Sequence, residues 1–223
     1  MKRFKFFLFS LGLFALQNEA KAGTLLYPND HAEIISERKY GDSAYIYVEQ
    51  GFSTMVGKFA TKTPAVDESG EAITSSVKSK WKGYGVVNGL GVEYYNFLRL
   101  GINHTLVNMR SSTNGFETLN GSKLGANIKF IFTAPVANIG GSFGLTSSKL
   151  DYRSQNFIGN YLASGSYKSV SIERFIHKHI SVSLEAKTST ERYEKSTVGD
   201  EPASAGDMKA NSKSLDFTVV LWF

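Results

Sequence analysis

The sequence predicts an all-β fold, an eight-stranded antiparallel up-and-down transmembrane β-barrel. Three observations lead there. Apolar residues recur at every second position in eight segments, the period of strands whose two faces meet different surroundings. The connections alternate short and long, as in a barrel with tight turns at one rim and loops at the other. The face opposite the apolar stripes carries charges of both signs, which can pair across a narrow lumen.

Composition narrows the class. The 223 residues contain no Cys, which excludes a disulfide scaffold, a thiol nucleophile and a finger-type zinc site. With 13% aromatics and 21 Gly against 4 Pro, the chain is too aromatic for disorder and too Gly-rich for a helical bundle. Lys2, Arg3 and Lys5 precede an apolar run, Phe6–Leu16, and Ala20-Lys21-Ala22 supplies a small-x-small cleavage pattern. Residues 1–22 therefore read as a secretory signal peptide, since the run is too short for a membrane helix. Its loss removes four basic residues and one acidic residue from totals of 25 and 20, leaving a net charge of +2. No basic stripe remains for a nucleic-acid partner. Residues 23–42 are a polar lead, read either as a periplasmic tail or as a plug in the lumen; the barrel is assigned to residues 43–223.

The strands follow in order. Ala44, Ile46 and Val48 oppose Tyr45, Tyr47 and Glu49. Tyr84, Val86, Leu90, Val92 and Tyr94 oppose Gly85, Gly89, Gly91 and Glu93. Leu98, Leu100, Ile102 and Leu106 oppose Arg99, Gly101, Asn103 and Thr105. Leu124, Ala126, Ile128, Phe130 and Phe132 face away from Lys123, Asn127 and Lys129; Ala137, Ile139, Gly141, Phe143 and Leu145 form the fifth stripe. The sixth segment, Tyr161–Arg174, is mixed: Val170 and Ile172 share one face, Tyr161, Ala163 and Tyr167 the other, and a β-bulge near Lys168 is expected to reconcile them. Ile180, Val182, Leu184 and Ala186 make the seventh stripe. Leu215, Phe217, Val219, Leu221 and Phe223 make the eighth, alternating with residues that include Asp216. Tyr95–Phe97, Thr133–Val136 and Phe175–His179 are tight turns, whereas Val56–Ser79, Met109–Gly121, Ser147–Asn160 and Thr188–Met208 read as long polar loops. An even strand count places both termini at the turn rim and lets the last strand pair with the first.

In a membrane barrel the apolar stripes face lipid and the charges face inward, the reverse of a soluble barrel. The predicted lumen charge network is Glu49, Glu93, Arg99, Lys129, Glu185, Lys187 and Asp216. Two aromatic girdles are expected: Tyr94, Tyr95, Phe97, Phe132, Phe175, Trp222 and Phe223 by the turns, and Phe52, Tyr84 and Tyr161 by the loops.

The last segment, Leu215-Asp216-Phe217-Thr218-Val219-Val220-Leu221-Trp222-Phe223, resembles the C-terminal targeting signal of bacterial outer-membrane barrels. Within that class, the eight short strands over residues 43–223 resemble the OmpX-like and OmpA-transmembrane-domain barrels, although no peptidoglycan-binding domain follows as in OmpA. The resemblance implies an outer-membrane location among outer-membrane lipids and lipopolysaccharide. It also implies that Leu215, Phe217, Val219, Leu221 and Phe223 are read by the barrel assembly machinery, with Phe223 the key contact.

Other chemistry is weighed against plain structure. His177 and His179 offer two imidazoles without a nearby carboxylate or thiol, too few for a metal site. His179, Ser181 and Glu185 share one strand face and resemble the residue types of lipid A deacylase. Their rise separates them by roughly 7 Å and then about 13 Å, too far for a base to reach its nucleophile. Asn88 and His104 interrupt lipid-side stripes; a three-residue turn at Tyr95–Phe97 makes them cross-strand partners, placed near the upper edge of an apolar band about 25 Å tall. The glycines from Gly83 to Gly91 lack the following helix of a phosphate loop and instead make room in the lumen. Loop residues Asp67, Glu68, Glu71 and Glu191–Lys195 are candidate contacts for an extracellular ligand, though such charge runs are more often simply solvated. The expectation is a monomer with no cofactor and no catalytic residues, acting in adhesion, binding or envelope integrity. A narrow pore is the first alternative and a lipid-modifying enzyme the second.

Overall fold

Alternation persists almost from end to end of the chain, and the backbone follows it. A computed structural model describes residues 30–40, 44–66, 72–113, 117–153, 158–198, 201–203 and 209–223. The expected signal peptide, the start of the polar lead, and Asp67, Glu68 and Glu71 lie outside the described residues. Among the described residues one helix, α1 (Asp30–Tyr40), precedes the strands β1 (Ala44–Val66), β2 (Ala72–Tyr94), β3 (Leu98–Ser111), β4 (Thr118–Phe132) and β5 (Asn138–Arg153). Then come β6 (Ile158–His177), β7 (Ile180–Val198), the three-residue β8 (Glu201–Ala203) and β9 (Lys209–Trp222).

Strands β1 to β7 pair antiparallel with their sequence neighbours, and β9 pairs with both β1 and β7. The wall thus closes on eight strands, while β8 adds only a short ribbon to the far end of β7. Closure matters physically because it gives every wall strand two hydrogen-bonded neighbours and no bare edge in lipid. The tightest turn shows how locally the chain is directed. Tyr94 pairs with Leu98, Tyr95 and Asn96 take φ values of 52° and 53°, and the Phe97 N–H donates to the Tyr94 carbonyl at 3.0 Å. Two successive left-handed residues twist the chain in the sense a hairpin needs. Asn tolerates that conformation; Tyr95 adopts it at a cost.

Near the turns, every apolar stripe points outward and is exposed: Ile46, Leu90, Ile102, Ile128, Ile139, Ile172, Leu184 and Phe217 represent the eight wall strands. Higher up, the outward face becomes polar on each strand, at Lys58, Lys82, Asn108, Ser122, Ser147, Lys168, Thr188 and Lys213. The inward face inverts with it. Glu93, Arg99, Lys129, Glu185 and Asp216 are buried low in the lumen, whereas Met55, Phe59, Trp81, Met109, Leu119, Leu150 and Tyr193 are buried high. From Ile46 to Val56 a strand tilted about 40° climbs roughly 25 Å, the height of a hydrocarbon band. The barrel is a membrane wall below and a water-exposed barrel with its own apolar core above.

This inversion corrects three expectations. The long polar loops are mostly strand: β1 and β2 run 23 residues each, far beyond the belt, because Phe59 and Trp81 alternate inward there. No bulge occurs at Lys168, which pairs in continuous register with Phe143 and Thr188. Tyr167, Ala163 and Tyr161 face the lumen while Val170 and Ile172 face out, so the parity never breaks; only the surroundings change. The register shifts of the β6–β7 pair lie instead at Leu162/Ala163 and Phe175/His177. Finally, Phe175, Trp222 and Tyr161 are lumen residues and not girdle residues. Phe52, Tyr84, Tyr94, Tyr95, Phe97, Phe132 and Phe223 are exposed on the outside.

Candidate functional site

The lumen holds almost all of the buried chemistry, in three layers. Its floor is α1. On this helix His31, Ile35 and Arg38 fall at i, i+4 and i+7, one stripe, and all three are buried while Glu33 and Glu37 remain exposed. Residues 30–40 of the polar lead therefore cap the turn end of the lumen. The Arg38 guanidinium gives Nη2–H to Glu93 Oε1 at 3.0 Å and lies over three rings, Tyr45 at 3.9 Å, Trp222 at 4.3 Å and Phe175 at 4.8 Å. Burial lowers its pKa, opposed by the Glu93 carboxylate. His31 Nδ1 accepts the Phe175 N–H at 3.0 Å, which leaves the proton of the neutral ring on Nε2. Burial, and then the charge of Arg174, hold the His31 pKa below its ordinary value.

The middle layer is ionic. Arg99 donates from Nε to Glu93 and from Nη2 to Glu173, each at 2.5 Å. Lys129 is paired with Glu185, and Lys187 bridges Glu185 at 3.4 Å and Asp216 at 2.7 Å. Hydroxyls complete the acceptors: Ser181 Oγ–H donates to Glu173 and Ser53 Oγ–H to Asp216, both at 2.5 Å. Glu49 also faces the lumen, its carboxylate lying over Gly89. The phenolic oxygen of Tyr167 accepts from Asn103 at 2.8 Å and Asn127 at 2.9 Å. Above this a cavity of about 50 Å³ remains, lined in part by Asn103, Tyr167, Lys123 and Glu191. That is room for a few waters, not for a channel.

The top layer is aromatic. Centroid separations run 5.5 Å from Phe59 to Trp81, 6.1 Å to Tyr152, 6.2 Å to Tyr161, 5.8 Å to Tyr193 and 5.9 Å back to Phe59. These five rings form a closed circuit around the inside of the wall. The tilted and edge-on angles are those that ring quadrupoles favour.

All seven charges expected in the lumen face it, together with three that sequence reasoning missed. Glu191, expected in a solvated loop as a ligand contact, is buried inside and accepts from Lys123 at 2.8 Å, and Tyr193 is buried beside it, because β7 continues through this segment to Val198. Glu173 was concealed by the supposed bulge, although it shares the parity of Tyr167. Arg38 was concealed in the polar lead, where a single three-residue stripe is a weak signal. The terminal residues Leu215, Phe217, Val219, Leu221 and Phe223 all lie on the outward face of the β9 segment. Asn88 pairs with His104 as the turn requires, but the hydrogen bond goes elsewhere: Gln50 Nε2–H donates to Asn88 Oδ1 at 3.2 Å. The row Gln50–Asn88–His104 has Phe52, Val86, Tyr84 and Leu106 above it, so it lies within the apolar belt and not at the rim as expected.

The other singled-out residues do not assemble. Ser181 is held by Glu173 and by Trp222 Nε1–H at 2.9 Å, Glu185 is held by lysines, and the His179 ring contacts the Trp222 carbonyl at 3.1 Å. His177 and His179 stack at 5.9 Å, and among the described residues no group of three or more His, Asp or Glu is placed to hold a metal.

No family model and no curated protein matches this sequence. Solved structures do. The outer membrane protein OprG from Pseudomonas aeruginosa is similar over 83% of this chain and 98% of its own, with a TM-score of 0.51 and 9% identity. This is the fold of the small bacterial outer-membrane β-barrels. Neisserial surface protein A, NspA, is similar at a TM-score of 0.49 and 12% identity, over 82% of this chain and 98% of that one. The outer membrane protease OmpT from Escherichia coli follows at 0.44 and 10%, over 83% and 100%. At such identities the likeness concerns the barrel alone.

Proposed function

We propose that this chain is a monomeric outer-membrane barrel, delivered after signal-peptide cleavage, whose role is structural or interactive. It works through its outer surface and loop rim, without turnover or conduction. The observation that carries this reading is the filled lumen: among the described residues a helical floor, an ion-paired middle and a ring of five aromatics occupy it, beside a cavity of about 50 Å³. An eight-stranded wall encloses no more than its side chains can fill. On this reading the turn rim is periplasmic and the loop rim extracellular. The alternate apolar residues Leu215 to Phe223 are the feature that the assembly machinery reads before β9 closes against β1. Supporting this, the same strand is the one that seals the barrel.

Cell fractionation with a heat-modifiability gel is the test of location. A heat-shifted band in the outer-membrane fraction is expected, and a soluble periplasmic band would overturn it. In planar bilayers the protein should give no conductance steps. Steps that vanish when Arg99 or Glu185 is neutralised would replace the interactive role with a pore. Altered lipid A in cells carrying the protein would replace it with an enzyme.

A further inference from the structure

The outward face of the wall is not evenly charged above the belt. On β1 and β2, Lys58 stands directly opposite Lys80; on β2 and β3, Lys82 stands directly opposite Arg110. Lys213 of β9 lies across Val56 from Lys82. One step higher, Lys78 and Lys209 flank Ala60 in the same way. All of these cations are exposed. Among the described residues, the outward positions of these four strand ends carry no carboxylate; Asn108, Asn211 and Ser112 are their polar neighbours. The corresponding ends of β4 present Thr118, Asn120 and Ser122 instead.

Like charges placed directly opposite each other on a sheet repel and destabilise it. An anion held between two such pairs would offset that repulsion, and the position of the pairs points to its kind. The pairs begin immediately beyond Tyr84 and Val56, large apolar residues exposed on the outer face, at the level where lipid headgroups meet water. Lys80 and Lys82 lie roughly 7 Å apart along one strand, so the two pairs match two phosphates better than one.

We propose that the loop-end rim of β9, β1, β2 and β3 binds the phosphorylated headgroup of an outer-leaflet lipid, the Lys58–Lys80 and Lys82–Arg110 pairs each taking one phosphate. The inference rests on the outer-membrane reading above. Its test is made with purified protein, so that it fails independently of cell location.

The full chain, in zwitterionic detergent, is titrated with bisphosphorylated lipid A, with monophosphorylated lipid A and with inorganic phosphate. Bound lipid is counted by native mass spectrometry and the thermal midpoint is followed. Bisphosphorylated lipid A is expected to bind and raise the midpoint, and the monophosphorylated form to bind about tenfold more weakly. The combined variant Lys58→Gln, Lys80→Gln, Lys82→Gln, Arg110→Gln should lose at least tenfold in lipid affinity. Without lipid it should melt no lower than the parent, because repulsion has been removed. The variant Lys58→Arg, Lys80→Arg, Lys82→Arg should keep binding. Lys149→Gln with Lys168→Gln on β5 and β6, away from the patch, should change nothing. Undiminished binding by the quadruple Gln variant would overturn the proposal, as would equal loss in the β5–β6 control. Full displacement by millimolar inorganic phosphate would reassign the patch to free phosphate and overturn the lipid headgroup.

Discussion

Replacing Arg99 by Met tests the ionic middle layer at its most connected point. Arg99 is 4% exposed and supplies Glu93 and Glu173 together. In the variant, Glu93 keeps Arg38 at 3.0 Å, whereas Glu173 is left with only the Ser181 hydroxyl. One buried carboxylate then lacks its cation, a loss of about 3–5 kcal/mol. Adding Glu173→Gln removes the orphaned charge, so the double variant should recover roughly 2 kcal/mol of that loss. Equilibrium unfolding from lipid vesicles, read by Trp fluorescence in a Trp81→Phe background, reports on Trp222, which lies 4.5 Å from the Arg99 guanidinium. Within 1 kcal/mol of the parent, the single variant would show that water reaches the layer and screens it. A double variant less stable than the single would show that Arg99 and Glu173 do not act as a pair.

Acid should loosen the floor. Because the folded-state pKa of His31 lies below its unfolded value, its contribution to docking α1 is complete above about pH 6.5 and is lost as the pH falls through the lowered pKa. Hydrogen exchange in α1 should therefore quicken in acid relative to the β strands, and His31→Asn, whose side-chain oxygen can accept the Phe175 N–H, should flatten that dependence. An unchanged profile in the variant would show that His31 does not carry the effect. Gly101 is held small by Tyr47, whose hydroxyl would lie 2.3 Å from a Cβ there. Gly101→Val should cost about 1–3 kcal/mol, with partial recovery on adding Tyr47→Phe; no recovery in urea melts refutes the packing argument. Within the belt, Asn88→Leu combined with Gln50→Leu, which removes both partners of their hydrogen bond, should gain about 1 kcal/mol in phospholipid vesicles, by removing polar groups from hydrocarbon. A lower midpoint would mean that the Gln50–Asn88–His104 row is shielded from lipid.

The wall was legible because lipid and a packed lumen impose opposite polarities on adjacent residues. Eight stripes follow from that contrast, and a three-residue turn was enough to register Asn88 against His104. The upper wall was not legible by the same rule. There water replaces hydrocarbon outside, apolar residues turn inward, and Phe59, Trp81, Leu150 and Tyr161 sit at the parity that the lower wall reserves for charge. Read as lipid-facing stripes, such segments look like polar loops or demand a bulge. The α1 floor was hidden for another reason: three stripe residues in a short helix carry little signal until the Trp222, Phe175 and Tyr45 rings gather around Arg38.

Inversion along the same strands also accounts for the ionic layer. The layer is closed off below by α1 and above by the aromatic ring, and its carboxylates cannot rely on bulk water. Four of its five carboxylates accordingly have two partners each: Glu93 has Arg38 and Arg99, Glu173 has Arg99 and Ser181, Glu185 has Lys129 and Lys187, and Asp216 has Lys187 and Ser53. Low dielectric makes each of these pairings strong and each vacancy costly. The partners come from β1, β2, β3, β4, β6, β7, β9 and α1, so the network ties nearly the whole circumference to the floor. Withdrawing α1 would remove a partner from Glu93 and admit water to the rest in a single step. The coupling between helix and charges, more than any one ion pair, is what keeps the lower lumen shut.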